Sequence, residues 1–291
     1  MKKLFLYFVV AASSVVTLHA QDFQGMAVYE SKTSTGDFKM DSPQITPEMQ
    51  KMIQERMKKA FEKTFILNFD KSASLYKEEE RLDAPGQENG MRMMASFMGG
   101  GGIHYKNVKN KTFAVEKEIF GKEFLIQDTL PKINWKMENE SRKIGNYTCY
   151  KATATVPANK SDFRNYRMKT EAKKDDTKKD DSPKANNIMD QVEMPKDKTI
   201  TAWYTPEIPV NQGPENYWGL PGLILEVTDG RTTILCSKVV LNPKEKTTIK
   251  APTKGEKVTQ AKFDEIVAKK AEEMRDMYQS RGGGMQIRMG N

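Results

Sequence analysis

Residues 218–227 read Trp-Gly-Leu-Pro-Gly-Leu-Ile-Leu-Glu-Val, "WGLPGLILEV". In a chain that is 30% charged, this run is a turn welded to an apolar strand. Pro221 presets φ at the first central position of a type II turn, and Gly222 supplies positive φ at the second. Gly219 adds backbone freedom just before them. Leu223, Ile224, Leu225 and Val227 then form a strand apolar on both faces, which predicts deep burial. Asp229-Gly230 is the dipeptide of a two-residue hairpin, so "RTTILCSKVV" at 231–240 folds back beside it. With Thr228 opposite Arg231, Leu225 faces Ile234 and Leu223 faces Cys236. Leu223, Leu225, Val227 and Cys236 then share the interior face.

Upstream, short β-type runs repeat between turn signals: "TFILNFD", "SASLYKEEE", "IHYKNV", "KTFAVEKEIF", "EFLIQDTL" and "NYTCYKATATV". No helical pattern separates them, which argues for an antiparallel sheet rather than βαβ units. The expected fold is mainly β: a single curved antiparallel sheet or open half-barrel of about ten strands. One helix accompanies it in the N-terminal half, with Thr46 as N-cap and Pro47 at the first helical position. Its Met49, Met52, Ile53, Met57, Ala60 and Phe61 recur at helical spacing, and such a stripe reads first as a core-facing surface. A second helix begins near Thr259, with Phe263, Ile266, Val267, Lys270, Ala271, Met274 and Tyr278 along one side. Residues 158–198, centred on "EAKKDDTKKDDSPKANN", hold too few apolar groups to offset ordering entropy and read as a disordered charged insertion. A Met/Gly loop at 84–102 and a tail at 281–291 read as flexible.

Residues 1–20 have two lysines, an apolar core and Ala20, the pattern of a secretory signal peptide. The segment is too short for a comfortable membrane span, and residues 21–291 are expected to be a single exported β-rich domain that does not cross a membrane. The formal net charge is +8, with two of the lysines inside the leader. So mild an excess on an exported chain disfavours nucleic acid as a partner. Cys149 and Cys236 form an even pair in an oxidising compartment and predict a disulfide, worth about 4 to 5 kcal/mol in the chain-entropy model. Cys149, however, alternates in phase with Tyr147, Lys151 and Thr153, which runs against that pairing. Two buried free thiols are the alternative.

Catalytic groups are scarce. His19 lies in the leader, leaving His104, and no nucleophile motif accompanies it. No cysteine or histidine spacing matches a zinc site, and "GGGG" at 99–102 lacks the Gly-Lys-Ser/Thr of a phosphate loop. The expectation is a protein without catalytic residues, metal or cofactor. Methionine is the unusual resource: Met91, Met93, Met94 and Met98 in one loop, Met285 and Met289 in the tail. Thioethers suit Cu(I), which makes copper binding a minor alternative.

The segment "NYTCYKA" followed by "TAWYTPEIPVNQGPENYWGLPGLILEV" resembles the signature of the GLPGLI family of exported bacterial proteins. Trp203, Tyr204, Thr205, the Glu-Ile-Pro of 207–209, Gly213-Pro214 and residues 219–224 carry the resemblance. It implies a periplasmic or cell-surface protein of a Gram-negative bacterium with no assigned activity, and it supplies no catalytic residues. Trp203, Tyr204, Tyr217, Trp218, Leu223 and Leu225 are therefore the candidate ligand-binding residues, either filling the core or lining an apolar groove. The leading expectation is a non-catalytic envelope protein holding a lipidic or apolar ligand in its curved sheet. The alternative is a scaffold that meets an outer-membrane protein partner.

Overall fold

The computed structural model describes residues 23–34, 46–79, 101–119, 121–165, 167–168, 192–193 and 196–280. In chain order the elements are β1 (Gln24–Thr33), α1 (Pro47–Phe61), β2 (Glu62–Asp70), β3 (Ala73–Glu78), β4 (Ile103–Asn107), β5 (Thr112–Ile119) and β6 (Lys122–Thr129). They continue with β7 (Lys136–Ile144), β8 (Tyr147–Pro157), a 3-10 turn (Phe163–Asn165), β9 (Arg167–Met168), β10 (Val192–Glu193) and β11 (Asp197–Thr205). Last come β12 (Leu223–Thr228), β13 (Thr232–Leu241), β14 (Glu256–Val258) and α2 (Gln260–Ser280).

Twelve strands form one open sheet in the order β14-β6-β5-β4-β3-β2-β1-β13-β12-β11-β8-β7, and β9 pairs with β10 alone. All neighbours are antiparallel except β14, which runs parallel to β6. The connectivity itself demands strong curvature. Strands β6 and β7 are consecutive in the chain yet ten inter-strand steps apart in the sheet, about 48 Å if it were flat. The seven residue steps from Thr129 to Lys136 reach at most about 25 Å. The sheet must therefore curl until its two ends approach, which is the half-barrel expected from the strand pattern.

The interior is filled. Tyr76 stacks on Phe65 at 4.7 Å and meets Tyr29 edge-on at 6.2 Å. Around them Leu67, Phe69, Leu223 and Ile234 are buried in the largest apolar cluster. Phe263 and Val267 of α2 cover Phe113, Val115, Phe124 and Ile126 in a second. Ala152, Ala202, Tyr204, Leu220, Ile224 and Val227 make the third. Both helices begin on threonine caps, Thr46 as expected: Thr46 Oγ1 accepts from Met49 N, and Thr259 Oγ1 from Lys262 N, each at 3.2 Å.

Four local expectations need correction. Thr228 pairs with Thr233, not Arg231, because Asp229 Oδ1 accepts from the amides of Arg231 and Thr232 and widens the turn. A slip of two residues keeps every side chain on its face. The register also shifts between Trp203 and Tyr204, which pair with Glu226 and Ile224. Leu225 is thus an extra residue, and Val227 joins the cluster of Ile224 instead of that of Leu223, Leu225 and Cys236.

Third, Cys149 and Cys236 are buried free thiols on strands separated in the sheet by β11 and β12. Fourth, the ends of the expected insertion belong to the folded body. Ala158 N donates to Lys196 O at 2.9 Å, and Ser161 and Asn165 are buried, held by Asn159 through side-chain bonds. Residues 169–191, the expected signal segment 1–20, the Met/Gly loop up to residue 100 and the tail lie outside the described residues.

Candidate functional site

The loop 206–222 leaves β11, crosses the interior and returns to β12. Its backbone is tied at both ends, Leu223 N donating to Ile208 O at 2.9 Å and Ile224 N to Gln212 O at 3.0 Å. Gly222 is not the positive-φ residue of a type II turn; Gly219 carries the left-handed φ, at 93°. Gly222 is needed for a different reason. A Cβ there would sit 2.2 Å from the carbonyl oxygen of Thr205, so only glycine lets the returning loop lie against the end of β11.

Two indoles fasten this loop to the crossover between the sheet's ends. Trp135 Nε1 donates to Trp218 O, and Trp218 Nε1 to Pro131 O, both at 2.8 Å. From the opposite wall, Lys106 Nζ on β4 donates to the carbonyls of Gly213 and Glu215, the latter at 2.8 Å. Burial lowers this lysine to about 7, against the opposing pull of Glu215. A near-neutral amine is the ingredient of Schiff-base chemistry. Here Nζ is occupied by two carbonyls and the residue is only 2% exposed.

Beside Lys106 lies a buried ionic chain that the sequence reading missed. Arg164 bridges Asp162 at 2.7 Å and Glu215 at 2.8 Å, while Lys198 bonds Asp229 at 3.2 Å and Asn165 Oδ1 at 3.0 Å. Burial alone would raise the Asp162 carboxyl; the Arg164 charge and hydrogen bonds, with Lys198 and Lys117, instead hold it down at about 2. Arg164 loses to burial but gains more from Asp162 and Glu215, which push its pKa well above the usual value. Arg164, Lys198, Glu215, Tyr217, Asp229 and Thr232 enclose a void of about 10 Å³, room for one water. The local signal was "NKSDFRN" at 159–165, whose Asn159 and Asp162 make side-chain turns, but the lysine-rich run after it masked the pattern.

The six candidate ligand residues do not converge on one groove. Trp203, Leu223 and Leu225 lie in the largest apolar cluster, Tyr204 and Tyr217 belong to the third, and Trp218 packs against the second, beside Phe124 and Phe263. Trp203 lies under the Arg142 guanidinium at 4.1 Å, which also pairs with Glu226. A different set reaches solvent. Met137 of β7 pairs with Ala152, and Tyr150 of β8 with Tyr204, so all four share one face. Met137 is 50% exposed and Tyr150 42%, while Tyr204 OH donates to Met137 Sδ at 3.6 Å. An open groove of about 430 Å³ lies elsewhere, lined by Tyr105, Phe113, Ala114, Gln127 and Ala251 among others. Among the described residues no three His, Cys, Asp or Glu side chains cluster in a metal-binding arrangement, and no helix is long and apolar enough to cross a membrane.

Residues 135–226 match the family described as "Protein of unknown function (Porph_ging)". The match begins at Trp135 and takes in the ionic chain from Asp162 to Glu215. No curated protein matches. Among solved structures, two crystal forms reported as "Structure of PNGF-II", in C2 and P21 space groups, are similar at 13% identity with TM-scores of 0.45 and 0.44. The matches cover 85% and 84% of this chain, which spans about a third of the length of each of those chains (33%).

Proposed function

We propose that this chain is an exported, non-catalytic binding protein of the cell envelope, of the GLPGLI type, that meets a macromolecular partner through the face around Met137 and Tyr150. The observation that carries the reading is the contrast between that face and the rest of the concave surface. Elsewhere, among the described residues, the chain's own loop 206–222, residues 158–165 and α2 cover much of the interior, and the void beside Arg164 and Lys198 has room for one water. At the β7–β8 end the cover stops, and a thioether and a phenol stand half in water. Large apolar groups left together at the rim of a filled core are what a contact surface requires.

The sheet edges support a face rather than an edge as the contact. Strand β7 carries Lys136, Glu138, Glu140, Arg142 and Lys143 and is irregular between Met137 and Ser141, while β14 has three residues, two of them charged. Charges, bulges and brevity are the features that keep an edge from recruiting another strand. A second reading, storage of an apolar ligand, rests on the open groove beside Tyr105 and Ala251.

Site-specific photocrosslinking in the native envelope tests the first reading. A crosslinker at position 150 should give one discrete adduct, and a control at the equally exposed Leu235 should give none. Equal labelling at both positions would remove the case for the face. Native and denatured intact masses test the second: a small mass lost on denaturation would favour storage.

A further inference from the structure

Two members of the methionine stripe of α1, Met49 and Met52, reach solvent. The helix lies against β1 and β2, Lys51, Gln54, Glu55, Arg56 and Lys58 stand in water, and Met52 is 39% exposed with Met49 half-buried. Met49 and Met52 stand three residues apart, so the helix places them on one face about 5–6 Å apart at Cβ. The same Met-x-x-Met spacing recurs at residues 274 and 277 within α2.

The topology brings both helices to one end of the sheet. Helix α1 enters β2 at Glu62, whose neighbours along that end are Lys32 of β1, Glu78 of β3 opposite Phe65, and Ile103 of β4 opposite Lys77. The register carries this end on to Ile119 and Lys122. Helix α2 begins at the opposite end, where Gln260 N bonds Asp128, and runs back past Phe124, against which Phe263 packs at 5.4 Å. Its 21 residues span about 31 Å, so residues 274 and 277 lie toward the Lys122 end.

We propose that Met49 and Met52 form a binding site for a soft monovalent cation, Cu(I) or Ag(I), on the exposed face of α1. Thioethers are uncharged and polarisable, so they select such ions over Zn²⁺, Mg²⁺ or Ca²⁺. No reaction is implied: the ion is held by sulfur lone pairs, with no bond broken and no electron transferred. A helix N-terminus opposes a cation, and Glu48 in the first turn offsets that field. The first turn is already formed, since Thr46 caps it and Gln50 N donates to Thr46 O at 2.9 Å. Binding thus orders two side chains and not a whole helix. The buried thiols are the rival ligands, so the readout must come from methionine itself.

The test is a titration of the purified protein with silver nitrate, followed through assigned methionine methyl resonances, with a competition assay under Cu(I) and bathocuproine disulfonate. The proposal expects the Met49 and Met52 methyls to shift within the first equivalent. It also expects Met49→Leu with Met52→Leu to weaken binding at least tenfold while the far-ultraviolet circular dichroism is unchanged. Leucine keeps helix propensity and volume, and the wild-type methyl shifts decide the matter even if the double variant misfolds. Stationary Met49 and Met52 methyls at saturating silver, or undiminished affinity in the folded double variant, would overturn it.

Discussion

Trp135 and Trp218, 83 residues apart, clasp the ends of the curled sheet: the indole of Trp135 holds the carbonyl of Trp218, and the indole of Trp218 holds that of Pro131. The crossover 130–135 is the short link that forces the curl, and these bonds fix it to the loop 206–222. Trp218→Phe keeps most of the apolar ring and removes one neutral hydrogen bond. The expected loss is about 1 kcal/mol, or roughly 2–4 °C in Tm for a domain of this size. Urea and thermal melts of Trp218→Phe and Trp135→Phe should give similar losses, and the double variant should lose less than their sum if the two bonds act as one clasp.

The two glycines of the motif should separate cleanly. Gly219 has φ 93° and little around its missing Cβ, the nearest atom being Trp135 Nε1 at 3.9 Å. Gly219→Ala should therefore cost about 1–2 kcal/mol of backbone strain. Gly222 has an ordinary φ, but a methyl there strikes the Thr205 carbonyl and the Pro206 nitrogen, which are backbone atoms and cannot swing aside. Gly222→Ala should cost more than Gly219→Ala, at the upper end of the roughly 1–3 kcal/mol for overpacking, while Pro221→Ala should stay below about 1 kcal/mol. Chemical denaturation of the three variants checks the order, and Gly219→Ala as the worst would contradict it.

Arg164 is the centre of the ionic chain, and removing it leaves Asp162 and Glu215 buried without their partner. Arg164→Met should cost about 3–5 kcal/mol, the range for breaking a buried pair. The pH profile carries a sharper signature. Asp162 titrates at about 2 in the folded protein against an ordinary 3.8. A depressed carboxylate contributes stability that is full above the unfolded value and lost as pH falls through the folded one. That contribution is about 2 kcal/mol and should vanish between roughly pH 4 and pH 2. In Arg164→Met burial would dominate and favour the protonated acid, so this acid-side slope should disappear or reverse. Urea melts at half-unit pH steps measure it.

What was legible in the sequence was the part set by local pattern. The alternating runs, the Thr46 cap, the apolar spacing after Thr259 and the punctuation by Gly, Asn and Asp gave the strands, the helices and the sheet. The parts that escaped depend on partners distant in sequence. Gly222 meets Thr205 only after the loop has crossed the interior, and a Pro-Gly pair read locally suggests a different turn. Residues 158–165 look solvated by composition, because their charges are satisfied by Glu215 and Lys198 on other elements. The stripe on α1 was periodic enough to predict a helix, but periodicity does not show whether anything covers it. Met137 and Tyr150 became a pair only through the register of β7, β8 and β11.

The thiols offer a test of the interior as a whole. Burial raises Cys149 to about 11 and Cys236 to about 12, in each case against a partly offsetting backbone hydrogen bond. The reacting species is the thiolate, so both cysteines are protected twice, by exclusion of the reagent and by scarcity of the anion. At pH 8 the native protein should take up iodoacetamide far more slowly than an unstructured thiol, and denaturant should release two alkylations at once. Intact mass at successive times reads both. An unfolded chain that accepts none would instead mean that the cysteines are bridged. Prompt single alkylation of the native protein would mean that one end of the half-barrel opens, and β8 with Cys149 next to the edge strand β7 would be where to look.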